Sequence, residues 1–112
     1  MSMQPNVPVV TVSDLSDDAV MVDVRERNEW DAGHAPEAVL IPMGDLPGQL
    51  EELPIGDGPL AIVCRSGNRS GRAVAWLSQQ GIDAVNVAGG MQAWGAAGKP
   101  MVAEGVGPAR VI

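Results

Sequence analysis

At 112 residues, with 46% of them hydrophobic, the chain has the size and composition of one folded domain rather than a disordered segment. Fourteen acidic residues against seven basic ones give a net charge of −7, which argues against nucleic acid or an anionic membrane as partner. A single cysteine, Cys64, and a single histidine, His34, exclude an internal disulfide and a Cys/His metal cluster, so no metal or cofactor is expected.

The first eight residues lack the basic start and apolar core of a signal peptide, and no apolar run approaches the roughly 18 residues of a membrane span. A cytoplasmic location is therefore expected. Val9 to Val12 reads as a short strand, and Ser13 to Ser16 as a helix cap and first turn. Ala19 to Val24 is a second strand, nearly all apolar, as when both faces are covered. Glu26 to Asp31 reads as a short helical turn closed by Gly33, and Val39 to Ile41 as a third strand stopped by Pro42. Asp45 to Leu53 is expected to be a helix with Leu46, Leu50 and Leu53 on one face and Pro47 in its first turn. Gly56 to Pro59 is a turn before a fourth strand, Leu60 to Val63. A helix from Ser70 to Gln80 ends at Gly81, and a fifth strand, Ala84 to Val87, comes after it. Gly89 and Gly90 then break into a last helix, Met91 to Ala97.

Strands alternating with helices imply an α/β fold with a five-stranded, mainly parallel sheet flanked by helices. With Phe and Tyr absent, its core is aliphatic, and Trp30, Trp76 and Trp94 are expected to fill it. Ligands of such sheets sit beyond the carboxyl ends of the strands, where Cys64 falls. A lone cysteine after a buried strand is by default an inert small hydrophobe. The next six residues here point elsewhere: Arg65, Ser66, Gly67, Asn68, Arg69 and Ser70 open a helix. Gly67 permits a positive φ, and Ser66, Asn68 and Ser70 form turns and caps, so a chain curling around the sulfur can aim N–H groups at it. Those donors, the helix N-terminus and two guanidinium groups all favour a thiolate and an anionic substrate.

Four segments in this order resemble the single-domain rhodaneses, a sulfurtransferase family. They are Asp23-Val-Arg-Glu26 with Glu29-Trp30 and Gly33-His34, then Ile41-Pro42, then Cys64 to Ser70, then Val87-Ala-Gly-Gly-Met-Gln-Ala-Trp94. The resemblance spans about Val9 to Pro100 and departs at Glu37, where the pattern has glycine. It implies a rhodanese-like domain over residues 1–100, with 101–112 as an extension or tail. It also implies a mechanism. The Cys64 thiolate takes the outer sulfur of a small-molecule donor such as thiosulfate, and the Cys64 persulfide passes it to cyanide, a cellular thiol or a protein. Arg65 and Arg69 would hold the donor's sulfonate, with Ser66, Gly67, Asn68 and Ser70 completing the substrate-binding loop.

Two other functions fit the same residues. One is a sulfur-relay or redox-sensing module without turnover of its own. The other is a Cys-dependent phosphatase, which the spacing disfavours: those enzymes use C-x5-R, and Cys64 to Arg69 is C-x4-R, a tighter loop. Asp23 and Arg25 read as an ion pair tying a strand end to the next loop, and His34 as a hydrogen-bonded packing residue rather than a proton donor.

Overall fold

The computed structural model describes residues 6–112; most of the N-terminal segment expected to lack a leader lies outside the described residues. Five strands form one parallel sheet: β1 (Val9–Val10), β2 (Met21–Asp23), β3 (Val39–Leu40), β4 (Leu60–Val63) and β5 (Ala84–Val87). Their spatial order is β1-β5-β4-β2-β3. The helices are α1 (Arg27–Ala32), α2 (Asn68–Gln79) and α3 (Gly90–Ala96). β4 lies at the centre of the sheet, its Leu60 and Ile62 level with Ala84 and Asn86 of β5, its Val63 with Asp23 of β2. Every ladder is parallel, so all five strands run their carboxyl ends to one side.

The two-residue period of a strand divides the core. Leu60, Ile62 and Cys64 face α2 with Val22, Val24 and Ala84, packing on Ala73, Val74 and Leu77. Ala61 and Val63 face the other way with Met21 and Val87, packing on Met91 and Trp94 of α3. Both faces of β4 are buried, which is why its sequence is apolar without alternation.

The segment after β3 departs from the expected helix. Residues 43–52 form two 3-10 stretches, Met43–Gly48 and Leu50–Glu52, separated at Gln49, whose φ of −128° leaves helical space. Pro47 has no N–H to donate inside the first stretch, and Gly48 comes next, so an α-helix does not propagate. The apolar pattern is nevertheless used: Leu46 and Leu53 are buried in the α2-side core, with Leu50 against it. Val12 likewise leaves the first strand to open a single 3-10 turn, Val12–Asp14. Helix α2 starts two residues earlier than expected, so Asn68, Arg69 and Ser70 form its first turn. Trp94 is fully buried and Trp30 nearly so, whereas Trp76 lies partly exposed along the core's edge.

Residues 99–112 pack back on the domain. Lys99 pairs with Asp17 at 2.8 Å and lies over the Trp94 ring. Val102 forms an antiparallel bridge with His34, and the Arg110 amide donates to Ala32. Met101 and Val111 join the α3-side core.

Candidate active site

Cys64 leaves β4 at the centre of the sheet and is 1% exposed. Gly67 then adopts φ +109°, turning the chain so that its amide donates to Cys64 Sγ at 3.1 Å. The Ser70 hydroxyl lies 3.2 Å from the same sulfur. Burial alone would push the thiol up. Hydrogen bonds from the Ser70 hydroxyl and the Ser70, Gly67 and Ser66 amides outweigh it and hold the thiol below its ordinary value. The sulfur also sits at the N-terminal end of the 12-residue α2, where the helix dipole favours an anion.

The loop keeps this shape because α3 holds its carbonyls. The Met91 amide donates to the Cys64 oxygen at 2.8 Å, and the Gln92 amide to the Arg65 oxygen at 3.0 Å. With these carbonyls drawn toward α3, the succeeding amides turn inward to the sulfur. Gly90 makes the approach possible, since a β-carbon there would lie 2.4 Å from the Cys64 oxygen.

The two loop arginines part company. Arg69, on the first turn of α2, makes a two-pronged ion pair with Glu29 of α1 at 2.7 and 2.9 Å. Arg65 turns outward: its Nε donates to the Ile112 oxygen at 2.9 Å. With the Gln92 amide oriented carbonyl-first, that carbonyl accepts from both Arg65 terminal nitrogens at 3.0 and 3.2 Å. Of the two, Arg69 sits close enough for its charge to be favoured by a Cys64 thiolate. Ser66 and Asn68 are exposed at the loop's rim.

Glu29 was not singled out from the sequence as a partner, since 40 residues separate it from Arg69. Its Oε1 also accepts the Glu26 amide at 3.0 Å, completing a capping box at the start of α1. The Arg69 hydrogen bonds lower the Glu29 carboxyl to about 2. A carboxyl depressed on folding contributes stability that is present above its unfolded value, about 4.3. That contribution is lost as pH falls through the folded value of about 2. Glu29→Gln, which keeps the capping acceptor, is expected to lower the unfolding free energy near neutral pH by about 2 kcal/mol. In denaturant titrations the gap from the parent protein should narrow as pH drops from about 4 toward 2.

Asn86 is a second residue that sequence patterning left unmarked. It lies on β5 on the α2 side, where the neighbouring positions are apolar, and is 5% exposed. Its Oδ1 lies 2.6 Å from the Ser70 hydroxyl and its Nδ2 donates to the Gly67 oxygen at 3.1 Å. The usable signal was one polar side chain inside Ala84-Val-Asn-Val87, on the strand beside the cysteine's own.

Behind the loop, Asp23 and Arg25 are both fully buried and joined at 2.8 Å, with Arg25 Nη2 also donating to the Gly33 oxygen. The expected ion pair is present. His34 stacks on Trp30 at 3.5 Å, with its ring nitrogens on the Ala35 oxygen and Glu104. That arrangement fits packing and not proton transfer at Cys64.

A family profile described as "Rhodanese-like domain" matches residues 9–97. The chain is 42% identical over 89 residues to a protein of Allochromatium vinosum named "Sulfurtransferase", covering 79% of this chain and 82% of the relative. A crystal structure of a rhodanese-related protein from Thermoplasma volcanium superposes with a TM-score of 0.75 at 37% identity, covering 85% of this chain and 97% of that one. A rhodanese-like domain protein from Staphylococcus aureus gives 0.68 at 40% identity, covering 78% and 90%. The parallel sheet, the cysteine at the end of its central strand and these matches agree, and the chain belongs to the rhodanese-like domain family.

Proposed function

We propose that the protein is a sulfurtransferase that carries a sulfane sulfur on Cys64, taken from an anionic donor such as thiosulfate and delivered to an external thiophilic acceptor. The observation that carries this reading is the cradle: a buried thiol held below its ordinary value by a ring of donors. The thiolate is prepared by hydrogen bonding, and among the described residues no imidazole or carboxylate contacts the sulfur to act as a base.

Attack by the thiolate on the outer sulfur of thiosulfate forms a new S–S bond. The donor's own S–S bond breaks, and sulfite leaves with the electron pair. The Cys64 persulfide that remains carries its negative charge on the terminal sulfur, beyond Sγ and toward the loop rim. Inward-facing amides and the positive charge of Arg69 stabilise that anion. A second thiolate or cyanide then attacks the terminal sulfur and regenerates Cys64. Because Cys64 is the only cysteine, the acceptor comes from outside the chain. Of the two loop arginines we assign the donor's anionic end to Arg69, whose charge lies close enough to interact with Cys64 while Glu29 holds it in place. Arg65, engaged by Ile112 and Gln92, holds the loop against α3 and the end of the chain. We further propose a cytoplasmic location, where reduced thiol acceptors are abundant.

Protein incubated with thiosulfate should gain the mass of one sulfur atom, mapped to the Cys64 peptide, and cyanide should release it as thiocyanate. Loading by a protein persulfide but never by free thiosulfate would favour a dedicated relay. Failure to load from either donor would overturn the proposal.

A further inference from the structure

The Ser70 hydroxyl lies 3.2 Å from Cys64 Sγ and 2.6 Å from Asn86 Oδ1. A hydroxyl has one proton, so it serves one of these two at a time. The amide of Asn86 is fixed in its orientation. With Nδ2 on the Gly67 oxygen, Oδ1 must face Ser70, and the reverse orientation would set two acceptors against each other. The carbonyl of Asn86 is thus a standing competitor for the proton that the sulfur also needs.

We propose that Asn86 is a positioning residue that competes with Cys64 for the single Ser70 proton, holding it while Sγ is a thiol or bonded to a second sulfur and yielding it when Sγ is a thiolate. In the thiol state the S–H can donate to the Ser70 oxygen while Ser70 donates to Asn86. On ionisation the thiol proton leaves for solvent and the Ser70 proton swings to the sulfur. It is re-aimed and never transferred. After sulfur uptake, Sγ is a neutral divalent sulfur and a poor acceptor, and the hydroxyl returns to Asn86. Because the bond to the thiolate forms only at the expense of the bond to Asn86, its net stabilisation is smaller than a free hydroxyl would give. The thiolate therefore keeps more of its nucleophilicity, and the exchange repeats at each release of the carried sulfur.

The other charged groups around this end of the sheet are Arg65 of the loop, turned outward onto the Ile112 oxygen, Arg69 of α2, held by Glu29 of α1, and the closed Asp23–Arg25 pair after β2. None of them shares the Ser70–Asn86 hydrogen bonds. Removing the amide also leaves the Gly67 oxygen with a partner, the Gly71 amide at 3.1 Å.

The role in turnover rests on the sulfur-carrier reading, but the test titrates the free thiol with no sulfur donor present, so the two ideas fail separately. The readout is the pH dependence of iodoacetamide alkylation, checked by the ultraviolet absorbance of the thiolate. Asn86→Leu frees the Ser70 proton for the sulfur and should shift the thiol midpoint down by about one pH unit, a tenfold rise in ionisation constant. Ser70→Ala should shift it up. In the Ser70→Ala background, Asn86→Leu should shift nothing, because the amide acts only through the hydroxyl. A residue that merely shapes the loop would move the midpoint in both backgrounds. Asn86→Val, suited to a strand, repeats the test if the leucine variant does not fold. In the unsubstituted protein, the Asn86 side-chain amide resonances should titrate with the thiol's own midpoint. No shift on Asn86 replacement, an upward shift, an equal shift without Ser70, or amide resonances indifferent to thiol ionisation would each overturn the proposal.

Discussion

Gly90→Ala is expected to lower the rate of sulfur loading by about a hundredfold while Cys64 and every donor around it remain in the chain. The added β-carbon would stand 2.4 Å from the Cys64 oxygen and 2.6 Å from the carbonyl carbon and oxygen of Arg65. These are backbone atoms, so no side chain can swing away to relieve the overlap. Helix α3 and the loop must separate by at least about half an ångström to reach even a tight contact. The loop's shape depends on the same approach, through the Met91 and Gln92 amides that hold the Cys64 and Arg65 carbonyls. Once those bonds lengthen, the carbonyls are free to turn, and the amides lose their aim at the sulfur.

Two readouts separate this from general damage. Stability should fall by at least about 2 kcal/mol, since an overpacked site adds to the cost of a left-handed alanine at φ +58°. The thiol's alkylation midpoint should rise at the same time, because donors to the thiolate have been lost. Gly81→Ala provides the comparison. Gly81 also has a positive φ, +81°, but nothing lies within 4 Å of a β-carbon there. It should cost about 1 kcal/mol of stability and leave loading and the thiol midpoint unchanged. Equal loss of loading in the two variants would mean that backbone strain, and not the fit of α3 on the loop, is what matters.

The contrast between these glycines marks where the sequence was legible. A Gly-Gly pair before an amphipathic turn announces a close approach, but the atoms approached belong to Cys64 and Arg65, in a loop well before it in the sequence, and are assigned only by the fold. The same limit governs the rest of the site. Cys64, Gly67 and Ser70 were readable because one loop holds them and local chain geometry brings them together. The strands were readable because burial on both faces leaves β4 with no polar residue. Glu29 and Arg69 meet across 40 residues, and a carboxylate on a short helix looks like any solvated charge until its partner is placed beside it. The arginines were expected to act together as a clamp because they lie in one loop. Their side chains diverge because Arg69 begins a helix facing α1, whereas Arg65 precedes the turn and points to the end of the chain. From Asp45 to Leu53 the apolar spacing matches a helix with Pro47 in its first turn. The local backbone, with one N–H missing and a glycine next to it, settled for 3-10 geometry while keeping the same leucines in the core.

Asp23→Ala is expected to destabilise the fold by about 3–5 kcal/mol, a large part of the roughly 5–15 kcal/mol that holds a domain together. Both carboxylate oxygens are engaged: Oδ1 accepts the Arg25 amide and Nε, and Oδ2 accepts Nε and Nη2. Arg25 has no exposure, so losing Asp23 leaves a guanidinium in the interior without its hydrogen-bonded counter-charge. Among the described residues its Nη1 has no partner, which leaves little hydrogen bonding to fall back on. What keeps the charge in place is therefore mainly Asp23, together with the Gly33 oxygen. Arg25→Met, which retains a flexible apolar stem, should also destabilise, because it strands the buried carboxylate. Asp23→Leu combined with Arg25→Met removes both charges and should cost less than either single loss, since two desolvation penalties vanish together. Urea titrations of this double variant beside Asp23→Leu alone and Arg25→Met alone measure the coupling directly. If the double variant instead costs the sum of its parts, the two residues act as independent packing elements and the pair is not a unit. The position of the pair gives the result a second consequence. Asp23 lies level with Val63, the residue before Cys64, and the Val24 amide donates to the Val63 oxygen at 3.0 Å. Loosening this end of β2 should therefore reach the sulfur: the Asp23→Ala protein, where it folds, should load sulfur more slowly in proportion to its loss of stability, whereas the double variant should recover most of the rate.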